Sequence, residues 1–232
     1  MKKYQAVILA GGKGRRLHPF TTTIPKPLFP LNEKAIIQII IEQLKHYGFS
    51  RILISVGYLS ELVKAYLGSG NRFGVEIEYV QELEPLGTAG PLTLVTDYVE
   101  DNFIYMNGDI LSDINFKKAY LFHIKRKADL TICTFEKKIQ STLGVLQYNK
   151  NGKIKDYIEK PIHTFSVSSG IYVIKKETLK MLKTNCKIDL PLLVKKCIKL
   201  KKELVSYPIK GNWFDIGTAA DLEKAENFIS NK

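Results

Sequence analysis

Residues 9–27 read L-A-G-G-K-G-R-R-L-H-P-F-T-T-T-I-P-K-P. An apolar run closes in a glycine-rich turn, Arg15 and Arg16 follow, and Lys26 sits between Pro25 and Pro27. Glycine permits positive φ and close approach of the backbone to a ligand. Arginine offers a planar fork suited to phosphate oxygens, and the N–H groups of such a turn cradle anions. The stretch therefore reads as strand, phosphate-binding turn and fixed positive charge. Two common phosphate loops are excluded. A Walker A loop needs Ser or Thr after Gly-Lys, whereas Gly12-Lys13 is followed by Gly14 and Arg15. A dinucleotide fingerprint needs a third glycine for close helix packing, and Leu17 stands in its place.

Outward from this turn, short apolar runs alternate with segments of helical period. Strands are expected at 6–10, 52–56, 76–79 and 103–106, and helices at 35–47, 60–67 and 90–98. That rhythm predicts βαβ units and a mainly parallel sheet, whose ligands bind beyond the carboxyl ends of the strands. The glycine turn follows the first strand and Asn107-Gly108-Asp109 follows the fourth, so both are expected to face one crevice. In the second half the rhythm changes. Strands at 128–135, 144–148 and 166–174, with a turn at Asn151-Gly152, predict an antiparallel region laid over that crevice. Helices are expected at 188–199 and 219–229. Asp109, and Asp215 within Trp213-Phe214-Asp215, are carboxylates that could hold a metal, so the residues themselves point to metal-dependent nucleotidyl transfer.

The 232 residues, 45% of them hydrophobic, suffice for one large domain with a substantial core. A formal charge of +12 suits either a nucleic-acid binder or an enzyme for anionic substrates. The lysines fall in short clusters such as Lys195-Lys196 and 199–202, the habit of solvated helix faces and turns. No zinc-finger, helix-turn-helix or RNA-recognition pattern accompanies them, and neither nucleic acid nor a membrane is expected as a partner. Cys133, Cys186 and Cys197 are too scattered for a disulfide framework or a zinc site, and Cys133 is expected to be buried. His18, His46, His123 and His163 read as ordinary surface residues. From Met1-Lys2-Lys3 onward there is no apolar stretch of ~15 to 20 residues, so neither a signal peptide nor a span is expected and the cytoplasm is the simplest location.

Taken in order, these motifs resemble the sugar-1-phosphate nucleotidylyltransferase family, also called the nucleotidyl transferase or sugar-nucleotide pyrophosphorylase family. The family opens L-A-G-G-x-G-[ST]-R-L-x-P-L-T, then P-K-P. Leu9 to Gly14, Arg16, Leu17, Pro19, Thr21 and Pro25-Lys26-Pro27 match it. The likeness continues through Leu86-Gly87-Thr88-Ala89-Gly90, Asn107-Gly108-Asp109, Glu159-Lys160-Pro161, Ser169-Gly170-Ile171-Tyr172 and Trp213-Phe214-Asp215-Ile216-Gly217-Thr218. Arg15 stands where the family has a small hydroxyl residue, and Ser168 where many members have asparagine.

The resemblance implies an α/β, Rossmann-like three-layer sandwich with a mainly parallel mixed sheet and a small antiparallel sugar-binding lobe. It implies a single nucleotidyltransferase domain over 1–232, with 1–127 mainly binding nucleotide and 128–232 mainly binding sugar phosphate; the C-terminal β-helix that many relatives carry is not expected here. Arg16, Lys26, Asp109 and Lys160 become the catalytic residues. Leu9, Ala10, Gly11, Gly12, Gly14, Arg15, Gln81, Gly87 and Thr88 become the nucleotide site. Gly144, Glu159, Lys160, Ser168, Ser169, Gly170 and Trp213 become the sugar-phosphate site, and Asp109 and Asp215 the ligands of Mg2+. The implied substrates are a nucleoside triphosphate and a sugar 1-phosphate, with a homo-oligomer open. The loop 85–90 resembles mannose- and heptose-1-phosphate guanylyltransferase branches, which favours GTP. UTP or CTP, or a phosphorylated non-sugar acceptor such as phosphocholine, are the alternatives. Other classes considered are a catalytically silent relative and a nucleic-acid binder.

Overall fold

Apolar residues in runs long enough for a strand, bounded by glycine and polar turns, leave one sheet with two covered faces. The computed structural model describes residues 4–184 and 186–230; Met1, Lys2 and Lys3, on which the expected start of the chain was read, lie outside them. In chain order the elements are β1 (Tyr4–Ala10), β2 (Pro30–Leu31), β3 (Lys34–Ala35), α1 (Ile36–His46), β4 (Phe49–Val56), α2 (Ser60–Leu67), β5 (Glu76–Gln81), α3 (Pro91–Leu94), β6 (Asn102–Asn107) and β7 (Ile110–Ser112). There follow α4 (Phe116–Arg126), β8 (Leu130–Gln140), β9 (Val145–Tyr148), β10 (Ile154–Ile158), β11 (Ile162–Lys175), α5 (Leu190–Lys199), β12 (Leu204–Pro208), β13 (Trp213–Asp215) and α6 (Ala219–Ser230).

Seven strands form the central sheet in the order β5-β4-β1-β6-β11-β8-β12. β1 is parallel to β4 and β6, and β4 is parallel to β5. β11 is antiparallel to β6 and β8, and β12 rejoins β8 in parallel. The fold is thus α/β with a mixed, mainly parallel sheet. After β1 the chain builds β4 and β5 on one side and then β6 on the other, so the order reverses at β1. In open α/β sheets that reversal opens a crevice at the carboxyl ends of the strands.

One face of the sheet is packed by α1, α2, α4 and α6. Ile36, Ile37, Ile40, Ile41 and Leu44 of α1 are completely buried there, and burying such a side chain contributes roughly 1.5–3 kcal/mol. The other face is covered by α3, α5 and the segment before α5, through Leu92, Val95, Leu179, Leu190, Leu193 and Cys197. Cys133 is buried as expected. Beyond the central sheet, the far halves of β8 and β11 run on as a two-stranded ribbon beside the β9–β10 hairpin, making a small antiparallel lobe. Among the described residues no helix is long and apolar enough to cross a membrane.

Several local expectations are corrected. The helix expected at 90–98 is a single turn, α3. The hydroxyls of Thr93 and Thr96 donate back to the carbonyls of Gly90 (2.8 Å) and Leu92 (3.0 Å), which competes with continued helix. β12, and the β7–β13 ladder, were not expected; each is three to five residues, too short for a period to be read. His123 is buried in α4 rather than exposed. Its Nδ1 lies 2.8 Å from the Thr131 hydroxyl and its Nε2 3.0 Å from the Asn102 amide oxygen.

Burial pushes the His123 pKa from 6.5 down to about 4, aided by Lys175 and opposed by Asp129. The folded value lies below the unfolded one, so this histidine's contribution is intact above pH 6.5 and is lost as pH falls through that value towards 4. The loss should approach about 3 kcal/mol. Urea midpoints at about pH 7 and about pH 4.5 should differ less in His123→Gln than in the parent. An equal pH dependence in both proteins would remove His123 as the cause.

Candidate active site

Four parallel strands end abreast. Ala10 is in register with Val56, Val56 with Gln81, and Leu9 with Asn107. The residues that follow, Gly11, Gly57, Glu82 and Gly108, therefore form the rim of the crevice. The close approach is enforced sterically. A Cβ on Gly108 would lie 2.5 Å from the Leu9 carbonyl oxygen, and the Gly108 N–H donates to that same oxygen at 2.8 Å. This contact brings the Asn107-Gly108-Asp109 corner against the glycine turn.

Gly14 has φ +58°, and a Cβ there would lie 2.8 Å from Thr21 Cγ2. The Thr21 hydroxyl donates to the Gly14 carbonyl at 3.2 Å, folding the turn back over the segment that carries Lys26. Lys26 is buried and its ammonium is paired with the Asp109 carboxylate. Tyr58 secures the loop from outside: its N–H donates to the Gly11 carbonyl at 3.4 Å and its hydroxyl to the Thr22 carbonyl at 3.2 Å.

Asp215 reaches the same place through β13, which pairs with β7 so that Asp215 lies opposite Ile110. The Ile216 N–H donates to the Asp109 carbonyl at 3.0 Å. Burial first, then the neighbouring Asp109 carboxylate, holds Asp215 above its ordinary pKa, against the pull of Lys26 and Arg16. The Arg16 guanidinium lies against Gly217, where a Cβ would come within 2.7 Å of it. Two neighbouring carboxylates are a suitable seat for a divalent cation that also takes waters and phosphate oxygens. Among the described residues no three His, Cys, Asp or Glu side chains gather to hold a metal by themselves; one or two carboxylates completed by waters and phosphates is a donor set that Mg2+ accepts.

The crevice between these elements encloses about 410 Å³. It is lined by Leu9, Ala10, Gly11, Gly12, Gly14, Arg15, Arg16, Lys26, Gly87, Thr88 and Asp109, together with Glu82, Pro85, Asn107 and Gly217. A second cleft of about 220 Å³ adjoins it at Thr88 and Asn107 and is lined by Ser168, Ser169, Gly170, Tyr172, Leu190, Pro191, Trp213 and Asp215. Gly170 (φ +77°) lies against the Asn107 side chain, the Trp213 indole donates to the Ser169 carbonyl at 2.9 Å, and the Ser169 hydroxyl donates to the Cys133 carbonyl at 2.8 Å. Two joined clefts, one cationic and both meeting at a pair of carboxylates, can bring two phosphorylated molecules together.

A family model described as nucleotidyl transferase matches residues 5–232. The chain belongs to the nucleotidyl transferase family. It is 33% identical over 228 residues to the catalytic subunit beta of mannose-1-phosphate guanylyltransferase from Drosophila melanogaster, covering 94% of this chain and 60% of that protein. It is 31% identical over 240 residues to UTP–glucose-1-phosphate uridylyltransferase from Synechocystis, covering 95% and 62%. This nucleotidyl transferase chain thus spans about three-fifths of the length of the curated relatives it matches. The crystal structure of HddC from Yersinia pseudotuberculosis complexed with GMP-PN aligns with a TM-score of 0.76 at 26% identity, over 97% of this chain and 99% of that one.

Against this frame of two clefts, four of the expected site residues of the nucleotidyl transferase stand apart: Gln81, Gly144, Glu159 and Lys160 line neither cleft. Gly144, Glu159 and Lys160 sit together on the exposed lobe. The Tyr157 hydroxyl packs over Gly144 and donates to Glu159 at 3.0 Å, and the Lys160 ammonium is 3.9 Å from the Glu159 carboxylate. Gln81 is exposed at the end of β5, and Glu82 takes the place in the crevice. Side chains alternate along a strand, and register puts Val80 beside Ser55 and Leu9. Two residues on, Glu82 falls beside Gly11, so strand parity is the signal that distinguishes it from Gln81. The Glu82 carboxylate accepts from the Ser55 hydroxyl at 2.7 Å and from the Leu86 N–H at 3.3 Å, and burial raises its pKa.

Proposed function

We propose that this chain transfers a guanylyl group from GTP to a sugar 1-phosphate, releasing pyrophosphate, with Mg2+ as its metal. The observation that carries the reaction class is the meeting of Asp109, Asp215, Lys26 and Arg16 at the carboxyl ends of β1 and β6. Mannose-1-phosphate guanylyltransferase and UTP–glucose-1-phosphate uridylyltransferase among the relatives support nucleotidyl transfer to a sugar 1-phosphate.

A phosphate monoester is largely dianionic near pH 7, its second pKa being about 6. Its oxygen attacks the α-phosphorus directly; one O–P bond forms, the bond to the β-phosphate oxygen breaks, and no general base is required. The chain must bring two anions together in line and stabilise the departing charge. Arg15, Arg16 and the N–H groups of 11–14 are assigned to the β- and γ-phosphates, and Lys26 to the α-phosphate. Asp109 and Asp215 would hold Mg2+, which when bound offsets the repulsion between the phosphates. Ser169, Gly170 and Trp213 are assigned to the sugar, and Glu159 and Lys160 to its hydroxyls and phosphate.

Guanine is favoured by Glu82. A carboxylate has about four acceptor positions, and Ser55 and Leu86 use two of them. The remaining pair matches the adjacent N1–H and N2–H donors of guanine. Pyrophosphate release should be measured with four nucleoside triphosphates against mannose-, glucose-, glucosamine- and heptose-1-phosphates. GTP should lead. Glu82→Gln presents one donor and one acceptor, so kcat/KM for GTP should fall by about 100-fold or more while UTP gains relative to it. A parent enzyme that prefers UTP, or a Glu82→Gln variant with unchanged base preference, overturns the assignment.

A further inference from the structure

We propose that the surface built by the described residues of 175–184 and 186–202 is a peripheral docking face for an anionic membrane. This stretch holds ten lysines against Glu177 and Asp189, a net +8 of the chain's formal +12. Two-thirds of the excess charge therefore lies in 28 residues. The fold brings those of the short helix and α5 together, while Ile188 and Asp189 turn to Gly87 and Thr88. The short helix Lys176–Met181 packs against α5, where the Lys196 ammonium donates to the Met181 carbonyl and Cys197 Sγ lies 3.8 Å from Met181 Sδ. Lys180 is paired with Glu177 at 2.8 Å and Lys202 approaches Asp129 at 3.7 Å. Among the described residues no carboxylate pairs with Lys195, Lys199 or Lys201.

Apolar side chains stand among these charges. Leu190, Leu193 and Cys197 anchor the inner face of α5, while Leu192, Ile198 and Leu200 project outward, 57%, 62% and 53% exposed. A helix fixed on one side, with lysines and aliphatic residues on the other, suits the boundary between headgroups and acyl chains. The composition selects among anionic partners. Residues 175–202 contain no arginine and no aromatic residue, the side chains that fork onto phosphates and stack on bases in nucleic-acid sites. A second copy of the chain would set one +8 face against another. Sequence alone assigns these lysines to solvated faces with no membrane partner; their convergence around exposed leucine and isoleucine argues for one. The proposal does not depend on which nucleotide is used, and Leu190 and Pro191 place this face one helix away from the second cleft.

The test is sedimentation of the full chain with vesicles of phosphatidylcholine alone or with about 30% phosphatidylglycerol, at about 0.1 M salt. Anionic vesicles should be bound at least about tenfold more tightly than neutral ones, and about 0.5 M salt should release the protein. Lys195→Gln with Lys199→Gln should weaken binding roughly tenfold or more, and Lys195→Arg with Lys199→Arg should restore it. Leu192→Ser with Ile198→Ser should weaken vesicle binding severalfold, with soluble pyrophosphate release unchanged in every variant. Absence of vesicle binding overturns the proposal. So does vesicle binding indifferent to the two apolar residues, tighter capture of a single-stranded oligonucleotide, or self-association that Leu192→Ser abolishes.

Discussion

Asp109→Asn is expected to lower turnover by about a thousandfold or more, equivalent to about 4 kcal/mol of transition-state stabilisation, with little change in the fold. Asp109 follows β6, beside the strand β1 at which the order reverses, pairs with buried Lys26 and shares its surroundings with Asp215. Asparagine keeps the shape and an oxygen to accept from Lys26, so packing and nucleotide binding should survive. What is lost is one of the two anionic donors proposed for the metal, and the partner that fixes the Lys26 charge. Asp109→Ala should lose the same activity and also some stability, because it strands a buried ammonium; Asp109 itself is partly exposed, which moderates that cost. Single-turnover pyrophosphate release with magnesium, beside nucleotide affinity by calorimetry, separates the two effects. Near-normal turnover in Asp109→Asn would remove Asp109 from the metal site.

Gly108→Ala is expected to destabilise the chain by about 2–3 kcal/mol, the usual cost of forcing a methyl into a packed site. The added Cβ would lie 2.5 Å from the Leu9 carbonyl oxygen and 3.3 Å from Ile8 Cγ2. The nearest neighbour is backbone at the end of the β1–β6 ladder, so no side-chain rotation relieves it. To accommodate the methyl, the ends of β1 and β6 must part, breaking the 2.8 Å Gly108–Leu9 hydrogen bond and carrying Asp109 away from the glycine turn. Urea denaturation reads the stability and pyrophosphate release reads the displacement. A midpoint shift worth less than about 0.5 kcal/mol would mean that the two strands can separate freely there.

Much of this was legible in the linear chain because the elements involved are local. Strand-length apolar runs, a glycine turn after the first of them and helix-period segments between them depend on neighbours a few residues apart. So does the run of motifs from Leu9 to Thr218, which placed the chain in its family. The half-buried sheet face that Gly11 joins also had a local signature, strand parity, which favours Glu82 over Gln81. The one-turn α3 was misjudged because its apolar residues keep helical spacing while its threonine hydroxyls draw back-bonds that spacing does not reveal.

Tertiary structure decided whatever depends on partners distant in sequence. Asp109 and Asp215, 106 positions apart by number, become neighbours because the three-residue ladder β7–β13 joins them. The burial of His123 depends on Thr131 and Asn102 meeting its two ring nitrogens. That the lysines of the short helix and of α5 share one neighbourhood depends on α5 packing against that helix. The sequence by itself determined the family, the parallel sheet and the crevice at its switch point, because those follow from local period and turn chemistry. Which carboxylates meet at the end of β6, which histidine is buried and which charges share a face were set only by folding, because a charge or a hydrogen bond acts through space and not along the chain.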